Sequence, residues 1–388
     1  MMTPAENLRR LFARQPADYV PLFDSPWGDT LRKWVTQGYP TVKNKRTVKE
    51  KVVEDGKEVE KEIEKEFDDP ANPTDHFGFD MAGVGGWFDM MPLKGVSELV
   101  EESDEWRVTR NGAGAAFKYW KNKSGTPEHV DFRMTRREVW DRDYRHHLLA
   151  IDRSRVNLDG AKRALAEWRG KGRWTFYGHL FIWECMRASL GDICLYESLL
   201  LDPDWIHDYN RVYTDFYKGH YKLLFDEAGI PDGMWMYEDM GYNKGLFASP
   251  KVLAELIFPY FTEVVAFFHS YGLPVVLHTC GSTREALPMI VEAGFDGLNP
   301  MEVAAGNNTL EYAEKYGDKF VFVGGFDKRI PETHDRGLIR REVTKFMQGM
   351  KARGARFLFA SDHSISTNTD YQDFQYMVEV YREHAMLG

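Results

Sequence analysis

Residues 274–302 read PVVLHTCGSTREALPMIVEAGFDGLNPME, and this stretch decides the fold. An apolar run, Pro274–His278, ends in small and polar residues. Ser282-Thr283-Arg284-Glu285 then opens a helical pattern reaching Ala293-Gly294, and Gly294–Asn299 forms a second apolar run. Strand, helix and strand within so short a span make the two strands parallel, because the helix carries the chain back to its starting edge. The unit recurs on both sides, with strand candidates at Trp174–Gly178, Gly233–Tyr237, Phe320–Gly324 and Arg356–Ala360. Ser249-Pro250, an N-cap followed by proline at the first helical position, opens Lys251–Ser270, which Pro259 should kink or split. Asn308 opens Thr309–Tyr316, closed by Gly317. An open doubly wound sheet calls for a glycine-rich dinucleotide fingerprint after its first strand, and Gly83-Val-Gly-Gly86 lacks that spacing. The chain therefore reads as α/β: a (β/α)8 TIM-type barrel with an N-terminal extension containing a small antiparallel β meander.

Residues 136–388 read as the main barrel body, and residues 1–135 as an N-terminal segment that supplies the first barrel strand. Asn7 to Arg14 patterns as a short amphipathic helix, and Tyr19-Val-Pro-Leu-Phe23 as a strand. The excursion 43–66 is nearly all Lys, Glu and Val around Glu54-Asp55-Gly56-Lys57. Asp-Gly between β-branched runs signals a hairpin, although such charge density also suits a solvated pair of helices. Its plain reading is a surface feature without chemistry, or a contact with a second subunit as in a homodimer. Asn111-Gly112, between Glu105–Arg110 and Ala115–Trp120, is a strong hairpin signal and sets an antiparallel meander over 101–132.

Of the 388 residues 60 are acidic and 50 basic, a formal charge of −10, and no Lys/Arg stripe is present. That balance argues against nucleic-acid binding, where phosphate neutralisation dominates affinity. A hydrophobic share of 43% permits a sizeable core, and an aromatic share of 14% provides rings for a pocket wall. No run approaches the ~20 apolar residues of a membrane helix. The N-terminus lacks a signal-peptide apolar block, and Cys185, Cys194 and Cys280 are odd in number without CxxC spacing. A cytoplasmic enzyme in a reducing compartment, acting on a small molecule, is expected.

Barrel chemistry gathers where strands end. Those junctions carry His179, Glu184 and Cys185; Glu238 and Asp239; His278 and Cys280; Met301 and Glu302; Asp327; and Asp362 with His363. In an extended strand end, positions i and i+2 point to one side, so the His278 imidazole and Cys280 thiolate can converge on a cation such as Zn²⁺. The other reading makes His278 a hydrogen-bonding pocket residue and Cys280 a filler before the Gly281 turn. A third ligand would come from Asp362, His363, Glu302 or Glu238, with the nitrogen donor His363 the first choice. Glu238 and Asp239 suit acid–base work if burial or mutual repulsion raises one pKa, and equally suit capping or ion pairing. Asp327 either orients a histidine ring or ligates directly, and Glu302 can support a ligand in the same way. His179 reads as a satisfied core histidine, and Cys185 and Cys194 as core.

Four motifs in order resemble the uroporphyrinogen decarboxylase superfamily: Pro274-Val-Val-Leu-His-Thr-Cys-Gly281, Gly294-Phe-Asp-Gly-Leu-Asn-Pro-Met-Glu302, Tyr316-Gly-Asp-Lys-Phe-Val-Phe-Val-Gly-Gly-Phe-Asp327 and Ala360-Ser-Asp-His-Ser-Ile365. The likeness covers roughly residues 170–388, with a weaker match at Val20–Phe23. It implies a barrel with its pocket at the C-terminal face, and two chemistries. True decarboxylases of the superfamily grip a tetrapyrrole's acetate and propionate groups with an arginine-rich N-terminal loop and a catalytic Asp. Here the loop reads Phe23-Asp-Ser-Pro-Trp-Gly-Asp-Thr-Leu-Arg32, without paired arginines, which counts against that activity. The other branch comprises methyltransferases and O-demethylases working with corrinoid proteins. Its thiol methyltransferases bind zinc through His-x-Cys on one barrel strand and a second Cys near the last strand. His278 and Cys280 match the pair, while Asp362-His363 stands where the second Cys is expected, a harder donor set better suited to an ether oxygen than to a thiol.

The resemblance thus implies a methyltransferase-like enzyme. Zinc on His278, Cys280 and His363 would act as Lewis acid, and Glu238, Asp239, Asp327 and Glu302 would assist. A partner corrinoid protein would exchange the methyl group of a methoxy, methylamine or thiol substrate. The alternatives are a decarboxylase of a uroporphyrinogen-like or smaller carboxylic acid, and a non-catalytic ligand-binding barrel.

Overall fold

The computed structural model describes residues 2–54 and 57–387. In chain order the strands are β1 (Thr41–Glu54), β2 (Lys57–Pro70), β3 (Met81–Gly83), β4 (Ser97–Glu102), β5 (Trp106–Asn111), β6 (Ala115–Trp120), β7 (Glu128–Phe132), β8 (Trp174–Leu180) and β9 (Gly233–Tyr237). After them come β10 (Gly241–Tyr242), β11 (Gly245–Leu246), β12 (Val275–Thr279), β13 (Gly297–Pro300), β14 (Val321–Val323) and β15 (Phe357–Leu358). Seven of them form one parallel sheet in the order β15-β14-β13-β12-β9-β8-β3. The extended segment 20–23 closes it. Phe23 N–H donates to the Phe359 carbonyl at 3.0 Å and Phe359 N–H to that of Pro21 at 2.8 Å, while Asp80 N–H donates to Leu22 O at 2.8 Å on the other side. The curled sheet is therefore an eight-staved barrel, with the segment 20–23 as its first stave.

The staves are short, and Val275, Val276 and Leu277 are all buried, as expected of parallel strands covered on both faces. Three aspartates tie the staves together at their N-terminal ends. Asp80 accepts from Leu22 N–H at 2.7 Å, Asp232 from Thr175 N–H at 2.9 Å, and Asp296 from Val275 N–H at 2.8 Å. Each carboxylate has a further partner: the Tyr19 hydroxyl, Arg9 and His269 respectively. The helix Pro4–Phe12 plugs this end. Its buried Ala5, Leu8 and Leu11 join Met81, Trp174, Phe176, Trp235, Val276, Val321 and Leu358 in one cluster, and Phe12 stacks on Trp174 at 5.2 Å. The barrel interior is thus filled below, and only the C-terminal mouth is available for chemistry.

Several boundaries differ from the sequence reading, each for a local reason. The first helix is Pro4–Phe12 rather than Asn7 to Arg14, because Thr3 caps it by accepting from Glu6 N–H. Pro259 acts as expected: the long helix divides into Pro250–Leu256 and Phe258–His269, bent by 53°. Ser282–Glu285 does not open a helix, which spans Leu287–Glu292; Thr283 is held instead by the Asn307 side chain, which accepts from its N–H at 3.1 Å and its hydroxyl at 3.2 Å. Among the described residues no single helix is long and apolar enough to cross a membrane.

The 43–66 excursion is a hairpin and not a helix pair. β1 and β2 pair antiparallel from Thr41↔Pro70 to Glu54↔Lys57, and the expected Asp55-Gly56 turn lies outside the described residues. Cross-strand ion pairs such as Lys43–Glu66 at 2.7 Å decorate it. The four strands β4-β5-β6-β7 form the expected meander. Asn111 accepts from the N–H groups of Ala113 and Ala115 and donates to Ala188 O, so one amide shapes the turn and anchors the meander to the helix Ile182–Leu201.

Candidate active site

The β9–β12 register pairs Tyr237 with His278, which brings Asp239 beside Cys280 at the barrel mouth. Asp239 Oδ1 accepts from Cys280 N–H at 2.8 Å and lies 3.6 Å from His278 Nε2, which is itself 3.4 Å from Cys280 Sγ. One donor atom from each of Asp239, His278 and Cys280 falls within 4.8 Å of the others. The turn that presents the sulfur requires glycine: Gly281 has φ +77°, and a Cβ there would strike the backbone of Gly241. Glu302 fixes the same turn, accepting from Gly281 N–H at 3.0 Å.

Asn299 sets the chemistry of His278. Its Oδ1 lies 2.5 Å from His278 Nδ1, and its Nδ2 donates to the Val323 carbonyl at 2.7 Å. A carbonyl only accepts, so the amide is oriented with its oxygen toward the ring. His278 then carries its proton on Nδ1, leaving the Nε2 lone pair toward Cys280 and Asp239. The Cys280 thiol is pushed up, first by burial and then by the negative charges of Asp239 and Glu302. Sulfur among carboxylates becomes a thiolate readily only when a cation is present. A nitrogen, a sulfur and an oxygen donor with the nitrogen's far side hydrogen-bonded fit zinc chemistry.

The other expected site residues are distributed differently. Glu238 is fully buried beneath the cluster; its Oε2 accepts from Glu184 N–H at 2.9 Å and its Oε1 has no partner among the described residues. Burial, then the neighbouring charges of Glu184 and Asp239, raises its carboxyl. Asp327 is not brought to the cluster and, among the described residues, orients no histidine. Burial alone would raise it, but Arg329 binds both its oxygens, at 2.8 and 2.6 Å, and holds it low. His363 is not among the converging donors either; it sits edge-on to Trp27 at 5.9 Å.

His363 and His278 instead face one cavity of about 80 Å³ at the mouth, lined also by Phe23, Asp24, Trp235 and Tyr237. Its size falls far below the ~300–1,000 Å³ of pockets for drug-sized ligands. Burial pushes the Asp24 carboxyl up to about 7, against hydrogen bonds from Ser361 and Ser25. Asp362, next to His363, is pushed to about 6 by burial. Neither Asn299 nor Asp24 was singled out from the sequence. The available signal was a polar residue interrupting or ending an apolar stave, as in Leu298-Asn299-Pro300 and Leu22-Phe23-Asp24.

With this geometry in place, likenesses to known proteins are informative. The family described as Uroporphyrinogen decarboxylase (URO-D) matches residues 231–384. A methyltransferase from Methanosarcina mazei is similar in structure, with a TM-score of 0.66 and 13% identity, covering 99% of this chain and 99% of that one. A family 10 endo-β-1,4-xylanase from Gloeophyllum trabeum reaches a TM-score of 0.39 at 10% identity over 59% of this chain and 82% of its own. A xylose isomerase-like TIM-barrel protein from Mycobacterium smegmatis reaches 0.31 at 14% identity, over 61% and 81%. No curated protein matches the chain. The full-length likeness at low identity establishes the fold, and all four sequence motifs lie inside the matched family segment. The segment 231–384 is thus similar to the uroporphyrinogen decarboxylase family, the likeness that the four motifs carry.

Proposed function

We propose that the protein is a metal-dependent methyltransferase that moves a methyl group between a small methylated substrate and a corrinoid protein. The observation that carries this reading is the convergence of His278 Nε2, Cys280 Sγ and Asp239 Oδ1 at the barrel mouth. These three residues would hold the cation, with Asp239 taking the place first given to His363. A bound zinc would supply Lewis acidity to a substrate heteroatom that carries a lone pair. The chain's own residues do the rest. Asn299 orients the imidazole, Glu302 and Gly281 fix the sulfur, and Glu238 anchors the start of the helix Ile182–Leu201 beneath them. His363 faces the substrate side of the cavity. A reducing cytoplasm would keep the Cys280 sulfur free for the cation. The fold shared with the Methanosarcina mazei methyltransferase is compatible with this reading.

The cavity disfavours the decarboxylase alternative. Among the described residues no Lys or Arg lines it, so a substrate carboxylate would find no cationic anchor. Metal analysis of the purified protein beside His278→Ala, Cys280→Ala and Asp239→Ala tests the proposal, followed by methyl transfer to Co(I) corrinoid. Stoichiometric metal lost in all three variants supports it. Metal that is absent, or indifferent to all three, overturns it, and CO₂ release from a carboxylated substrate would favour the alternative.

A further inference from the structure

The mouth cavity has walls that the donor cluster leaves unexplained. Phe23 and Trp235 meet at 5.6 Å between centroids, Trp235 and Tyr237 at 6.1 Å, and Tyr237 and His278 at 5.2 Å, so rings form a continuous wall. Asp24 lines the same space, 7% exposed, with its oxygens accepting from Ser25 N–H and from the Ser361 N–H and hydroxyl. It has no ion pair among the described residues. A buried carboxylate without a cationic partner is costly, and a cation placed beside it offsets that cost. Aromatic faces attract cations electrostatically, most strongly when water is excluded. Asp239, Glu302 and Asp362 nearby add further negative potential at the mouth, which repels an anion and gives a neutral ether nothing.

We propose that this cavity binds a small methylated ammonium head group, held against the Phe23, Trp235 and Tyr237 rings with its charge compensated by Asp24. The inference rests on the methyl-transfer reading and narrows its methyl donor to methylated amines. The head group belongs either to a free amine or to a methylated lysine side chain of another protein.

The full-length protein, treated with chelator, is titrated with choline, with its uncharged counterpart 3,3-dimethylbutan-1-ol, and with a trimethyllysine peptide. Tryptophan fluorescence and calorimetry report binding. Choline or the peptide should bind at least about ten-fold tighter than the alcohol, and the tighter of the two identifies the source. Asp24→Asn should weaken the cationic ligand about ten-fold and leave the alcohol unchanged. Tyr237→Leu keeps bulk and the carboxylate but removes a ring, and should also weaken the cation selectively, so a folding failure of one variant leaves the other decisive. Equal binding of choline and the alcohol, no saturable binding of any ligand, or indifference of cation binding to both substitutions in folded protein overturns the proposal. The titration needs neither metal nor corrinoid. Its failure would leave methyl transfer from a neutral ether standing, and loss of the metal site would leave the titration unchanged.

Discussion

Asn299 is fixed at both ends of its amide: its oxygen accepts from His278 Nδ1 at 2.5 Å, and its nitrogen donates to the Val323 carbonyl at 2.7 Å. Removing the amide frees the imidazole to rotate or to change tautomer. Asn299→Ala should lower metal affinity by ~10–100-fold, the usual cost of losing the outer partner of a ligating histidine. Asn299→Asp, which still accepts from Nδ1–H, should retain more of it. Chelator competition measures both; equal affinities across the three proteins would show that Asn299 does not orient a ligand.

Asp239 and Asp327, each following a strand end, are expected to behave oppositely. Asp239→Ala should strip bound metal, because its oxygen is one of the converging donors. Asp327→Ala should leave metal content unchanged, since Arg329 already occupies that carboxylate. Elemental analysis of both variants is sufficient, and a reversed pattern would relocate the site.

Burial raises Asp24 and Glu184 to about 7 and Asp362 to about 6, well above their ordinary values of 3.8, 4.5 and 3.8. A carboxyl raised in the fold stabilises it while protonated. That contribution is full below pH ~4, the unfolded value, and is lost as the pH climbs to the folded value near 7. Asp24→Asn, which cannot ionise, should therefore gain stability relative to the native chain between pH 5 and pH 8. For a fully buried group the gain is on the order of a few kcal/mol. Urea unfolding at the two pH values reads it, and a pH-independent difference would contradict the assignment.

Asp232 holds Thr175 N–H and hydroxyl with one oxygen, at 2.9 and 2.8 Å, and Arg9 with the other. Asp232→Ala leaves a buried N–H and a hydroxyl unpaired and should cost ~2–4 kcal/mol in denaturant unfolding. Its effect on metal content should be nil, because the clamp lies at the closed end of the barrel.

Where short-range chemistry decides, the sequence was legible. β9 coincides with the apolar run Gly233–Tyr237 because charged residues bound it on both sides, and Thr309–Tyr316 is framed by the Asn308 cap and Gly317. His278 and Cys280 could be paired from spacing alone, since alternation along a strand end is local. The third donor could not. Asp239 comes from the neighbouring stave, and its place beside Cys280 depends on the β9–β12 register. The helix expected from Ser282 failed for a similar reason: Asn307, distant in sequence, competes for Thr283.

Asp80, Asp232 and Asp296 each belong to one stave and grip the stave beside it. A slip of any one of them by a single residue would break its clamp and turn that stave's side chains to the opposite face. This interlock sits at the end opposite His278 and Asp24. Alignment and the candidate chemistry are thereby separated along the barrel axis, so residues around the mouth are free to change while the lower end keeps the staves in step.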